Sequence, residues 1–193
     1  VKSGMVDVPA VSHFRLATHL ITAFLLIGYI YWLILEAEER KHFPNFHINA
    51  LAKCFLFLLT VQIIYGAFTA GLKAGYLFPT GKGFWQSLFG YYNPEVLQNL
   101  DLINNAYNIQ FIHRIVAWVV FFFSIYLWQK ARGTELAKAS LILFLLACLQ
   151  IILGVITLLF AVPVYFAVAH QFVAVFILLA VTNLIFQSTE NSQ

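Results

Sequence analysis

The sequence predicts an all-α, polytopic membrane bundle of five transmembrane helices. Three observations carry that expectation: the composition, five apolar stretches of spanning length, and an internal repeat of helix pairs. Of 193 residues, 62% are hydrophobic, 17% aromatic and only 10% charged, with a mean hydropathy of +0.84. A water-exposed domain has too little polar cover at that composition to hide its apolar surface. The net charge of +3 is small, and lysines and arginines are scattered rather than gathered on one basic face, which excludes a nucleic-acid binder. Cys54 and Cys148 both fall inside apolar runs, a pattern of neither a disulfide framework nor a metal site.

A span needs about 20 mostly apolar residues, and stretches near 14–35, 54–72, 107–128, 139–160 and 164–186 qualify. Ser12 stands where its hydroxyl can cap the first helix. Arg40 and Lys41 lie between spans one and two, Lys53 just inside span two, and Lys130, Arg132 and Lys138 between spans three and four. The positive-inside rule puts those loops in the cytoplasm. The chain start, the loop 73–106 and the turn Ala161-Val162-Pro163 are then expected outside, and the tail 187–193 inside. The outer loop is rich in glycine and aromatic residues, and Asn93-Pro94-Glu95 reads as the start of a short helix ending near Leu100. Such a loop either caps a site or rests on the membrane interface. Residues 1–11 have no signal-peptide pattern, and the start at Val1 is read as a missing beginning.

Spans two and four share a signature. Val61-Gln62-Ile63-Ile64-Tyr65-Gly66 with Thr69 matches Leu149-Gln150-Ile151-Ile152-Leu153-Gly154 with Thr157. Each is followed by a span with a histidine near its outer end, His113 or His170. The unit is therefore a glutamine-glycine-threonine helix followed by a histidine helix. The first span, with His19, is the second half of such a unit, so at least one further helix is expected in front.

At 1.5 Å per residue the three histidines lie about 8–10 Å, and Gly66 and Gly154 about 9–10 Å, below their outer helix ends. Ionisable groups at membrane depth are costly and mark functional sites. Ala117 stands beside His113, Ala167 and Ala174 beside His170, and Ala23 beside His19 at helical spacing. Small residues around a histidine, with glycine on the neighbouring helix, give a flat porphyrin somewhere to lie, and facing helices of a bundle supply axial imidazoles. His113 and His170 are the expected pair, closing both axial positions in favour of electron transfer. Each histidine also reads as a packing residue bonded to a neighbouring helix, and Gln62 and Gln150 read as interhelical hydrogen bonds. Arg114 either pairs with a heme propionate or snorkels to lipid phosphate. His13 is placed near enough to the interface to be solvated, and His42 and His47 in the cytoplasmic loop; none of these three has an assigned role.

At these residues the chain resembles the heme A synthase family. The segments are Ala70-Gly71-Leu72-Lys73-Ala74-Gly75, Gln110-Phe111-Ile112-His113-Arg114, Gly154 to Thr157, Val162-Pro163 and His170-Gln171, and Arg15 to Leu20 is similar to that family's fourth helix. The resemblance implies eight helices in two similar four-helix bundles. Residues 1–41 would be the last helix of a truncated front bundle, and 42–193 the rear bundle with its outer loop at 73–106. It implies heme b as cofactor, held by His113 and His170 with Arg114 beside it, and heme O as substrate, with His19 among its iron ligands. The implied reaction oxidises the C8 methyl of heme O to a formyl group by successive hydroxylations, with water as oxygen source and heme b relaying electrons. The other substrate-side histidine and a catalytic glutamate would lie in absent front helices, so this chain alone is expected not to turn over. Phe78-Pro79-Thr80 followed by Gly81-Lys82-Gly83 departs from the family's outer-loop pattern.

Further expectations are a bacterial cytoplasmic or mitochondrial inner membrane, lipid contact, and heme sites toward the outer face. Contact with heme O synthase and terminal oxidase assembly, and homo-oligomers, complete the implied partners. The rival reading is a non-enzymatic bis-histidine membrane cytochrome b that carries electrons. Such carriers stack histidine pairs at two depths, whereas one depth is seen here. A transporter would show broken helices and midplane charges.

Overall fold

A computed structural model describes residues 12–77 and 101–190. In chain order the helices are α1 (His13–Ala37), α2 (Phe46–Gly71), a 3-10 turn at Ala74–Leu77, α3 (Ala106–Ala131), α4 (Ala137–Leu159) and α5 (Val164–Ser188). All five α-helices are long and apolar enough to cross a membrane. The outer-loop expectations, including the short helix ending near Leu100 and the departure at Phe78 to Gly83, lie outside the described residues.

Helix packing closes a ring. α2 packs on α3, α3 on α4, α4 on α5, and α5 back on α2, while α1 lies outside the ring against α2 and α5. Side chains directed into the ring, among them Phe55, Leu59, Leu127, Leu143, Ile177 and Leu184, form the core. α1 buries only Ala17, Phe24 and Leu35 and leaves Leu25, Leu26, Tyr29 and Ile30 exposed. Apolar residues also cover the outside of the ring, as at Phe122, Leu145, Ile152 and Phe176, which is how a bundle meets lipid.

α2 starts eight residues before the expected span, because two asparagines build its first turns. The Asn45 side chain accepts from the Ile48 amide at 3.1 Å, a side-chain N-cap. Asn49, one turn on, donates from Nδ2 to the Ile185 carbonyl, Ser188 Oγ and Thr189 Oγ1 at 3.1, 3.0 and 2.9 Å. The Phe43 and Asn45 amides donate to the Gln187 and Ser188 carbonyls, and His42 Nδ1 donates to the Thr189 carbonyl at 3.1 Å. The α1–α2 connection thus clasps the end of α5. Asn49→Ala removes the side chain that satisfies these acceptors and is expected to cost about 1–3 kcal/mol, seen as a lower thermal midpoint in detergent.

At the opposite end, Ser12 occupies the N-cap position of α1, but its hydroxyl makes no capping bond. Its carbonyl instead accepts from Leu16. α3 is capped by Asn105, which accepts from the Tyr107 and Asn108 amides. Just before it, the amides of Asn104 and Ile103 hold the exposed Asp101 carboxyl below its ordinary pKa. That contribution is present above the unfolded carboxylate pKa and fades as pH falls through the folded one.

His13 is only partly exposed rather than freely solvated. It lies between the rings of Phe14 and Phe68 at 4.1 and 5.3 Å, with its Nε2 shut off from solvent. Gly71 is what permits this approach: a Cβ there would meet His13 Cβ at 2.6 Å and Cα at 2.7 Å. Gly75 does the same for the α4–α5 turn, since its Cβ would meet Val162 Cγ2 at 3.0 Å. Ala161 and Val162 take φ of 60° and 58°, and the Val162 amide closes the turn on the Thr157 carbonyl at 2.8 Å.

Candidate functional site

The repeated signature folds into two copies of one contact. Gln62, Gly66 and Thr69 lie at i, i+4 and i+7, hence on one face of α2, as Gln150, Gly154 and Thr157 do on α4. In the α2–α3 pair, Gln62 Nε2 lies 3.4 Å from His113 Nε2. In the α4–α5 pair, Gln150 Nε2 lies 3.1 Å from His170 Nε2. Each threonine donates to its own helix, to the Tyr65 carbonyl at 2.8 Å and the Leu153 carbonyl at 2.7 Å. The glutamines are therefore interhelical hydrogen bonds, as expected, and their partners are the two histidines.

The glycines stand against the imidazoles rather than clearing space for a porphyrin. A Cβ on Gly66 would meet His113 Cε1 at 3.2 Å, and one on Gly154 would meet His170 Cε1 at 3.1 Å. Glycine one turn beyond glutamine admits the ring whose nitrogen the glutamine bonds. The two histidines stand on α3 and α5 of the same closed ring.

Four atoms of this arrangement are buried without a partner among the described residues: Nδ1 of His113, Nδ1 of His170, Oε1 of Gln62 and Oε1 of Gln150. The same two atoms are left over in each copy. Arg114 is 7% exposed and Gln110 1% exposed, so Arg114 faces the protein interior and does not snorkel to lipid. The four leftover atoms on the two histidines and two glutamines call for a bound partner. Among the described residues no three of His, Cys, Asp and Glu gather as donors for a bare metal ion. Two imidazoles and a buried guanidinium are the types of side chain that could hold an iron macrocycle bearing carboxylates.

His19 lies elsewhere. It is exposed on α1, outside the ring that holds His113 and His170. His19→Ala is accordingly expected to leave any spectrum of a group bound by that pair unchanged, which optical spectra of the purified variant would check. Gln171, next to His170 in sequence, is also exposed.

A family model described as cytochrome oxidase assembly protein, COX15-CtaA, matches residues 1–182. The chain belongs to this family. Relatives agree with the assignment. A protein named heme A synthase from Flavobacterium johnsoniae is 35% identical over 94% of this chain and 56% of its own length. One of the same name from Rhizorhabdus wittichii is 39% identical over 93% of this chain and 53% of its own. The chain spans about half the length of the curated relatives it matches. No solved structure shows a significant match.

Two features of the site went unread in the sequence. The pairing of each glutamine with the histidine of the next helix was visible as a repeat, but spacing alone does not give a contact between helices. Gln110 was noted only as part of a motif, and its burial emerges from the packing of α3.

Proposed function

We propose that this chain is the rear part of a heme A synthase, in which α2 to α5 hold heme b between His113 and His170. The observation that carries this reading is the repeated glutamine-histidine contact, which brings one imidazole from α3 and one from α5 into a single ring with matching leftover atoms. Family membership and the names of the relatives support it.

Heme b, when bound, supplies one-electron redox chemistry. The protein's part would be to offer the His113 and His170 imidazoles in place of their contacts with Gln62 and Gln150, and to compensate carboxylate charge with Arg114. The apolar core beneath the site, with Phe55, Leu59 and Val120, keeps water out. Held by both His113 and His170, the group would supply electron relay and not oxygen activation. α1, attached to the outside of the ring and bearing an exposed His19, belongs in this reading to a front bundle that takes heme O. Oxidation of the C8 methyl to a formyl group would occur there. The basic residues Arg40, Lys41, Lys130, Arg132 and Lys138 lie at the end of the ring opposite the histidines, which supports an outward-facing heme site in a bacterial cytoplasmic membrane.

The full-length protein, expressed in a host that accumulates heme O and lacks its own heme A synthase, is expected to yield extractable heme A. Heme O alone, with the protein present in the membrane and loaded with heme b, would reject the synthase reading and favour the electron carrier.

A further inference from the structure

Gln110 is 1% exposed, and neither Nε2 nor Oε1 of its carboxamide has a partner among the described residues. Gln62 and Gln150 each place their Nε2 on a histidine; Gln110 places nothing on anything. Burying a carboxamide in this way costs the full desolvation of its donor and acceptor. A buried group of that kind is tolerated where a ligand completes it.

Its position says which ligand. Gln110, His113 and Arg114 stand at i, i+3 and i+4 of α3, so they share one face. Gln110 lies one turn from His113 toward the helix start, and Arg114 is itself buried. A carboxamide N–H beside a guanidinium selects an anionic oxygen acceptor. On a heme whose iron is held by His113, the propionates are the groups that carry such oxygens.

We propose that Gln110 is a carboxylate-binding residue of the heme site, donating from its side-chain amide to a heme propionate alongside Arg114. This rests on the heme b reading given above. The neutrality of glutamine is part of the proposal, because a glutamate of the same shape would set a like charge against the propionate in a medium that screens it poorly.

The experiment compares heme b with its dimethyl ester, in which both propionates are uncharged, on apo protein prepared from heme-starved cells. Binding to wild type, Gln110→Leu and Gln110→Glu is followed by Soret titration, with helical content measured for each. Gln110→Leu is expected to weaken heme b roughly tenfold or more, as loss of a hydrogen bond to a charged group does, and the ester by only about fivefold or less, as loss of a neutral one does. Gln110→Glu, which keeps the shape, should weaken heme b further than leucine does while treating the ester no worse. Equal losses for both hemes, or no loss for either, would overturn the proposal and make Gln110 a packing residue. If wild type binds heme b and the variants show no such split, the heme site stands and only the role of Gln110 falls. If wild type binds neither heme, both fall together.

Discussion

Replacing His113 or His170 by alanine is expected to abolish the low-spin, six-coordinate heme b spectrum. Each imidazole is the sole one on its helix within the ring, and in each copy it is the atom set around Nε2 and Cε1 that glutamine and glycine are arranged to receive. Alanine leaves the helix intact, being the best helix former, so the loss is one of ligation and not of folding. The single-ligand protein should either retain a high-spin heme or lose at least about tenfold in occupancy, since a 1.4 kcal/mol loss already corresponds to tenfold. Pyridine hemochrome content and the reduced optical spectrum check this. Wild-type spectra in both variants would remove the two histidines from the site.

The second large effect is expected from the glycines. In Gly66→Val and Gly154→Val, the added Cβ alone comes within 3.2 and 3.1 Å of the imidazole Cε1, and the two γ-methyls have no space on a helix face that the ring already fills. The imidazole must swing away or the helices part, a strain of about 1–3 kcal/mol. Heme occupancy is expected to fall roughly tenfold in each. Gly28→Ala is the control, because a Cβ there meets Leu178 and Thr182 no closer than 3.8 Å. Heme content per folded protein, measured for the three variants together, separates a defect at the imidazoles from a general intolerance of larger residues. Equal heme in all three would mean that the glycines merely line a helix contact.

Much of this was legible in the sequence because lipid imposes simple rules. Spanning length fixed four of the five helices to within three residues at each end, and the repeat identified which helices are equivalent. The start of α2 was not legible: Asn45, His47, Asn49 and Lys53 depress a hydropathy window, yet Asn45 caps that helix and Asn49 bonds the far end of α5. His13 is more enclosed than expected for a related reason. Proximity to a helix end suggests water, but Gly71 on a neighbouring helix lets it pack inward. The purpose of Gly66 and Gly154 differed as well, since a missing side chain in sequence shows that something approaches without showing what. Arg114 stood open between lipid and interior until the packing of α3 placed it inside.

The most direct test of the central claim is the oxidised and reduced optical spectrum of the chain purified in mild detergent, with identification of the extracted pigment. The account predicts about one heme b per chain, low-spin in both oxidation states, as two imidazole ligands from His113 and His170 require. Well-folded helical protein that carries no heme b and takes up none when it is added would contradict it.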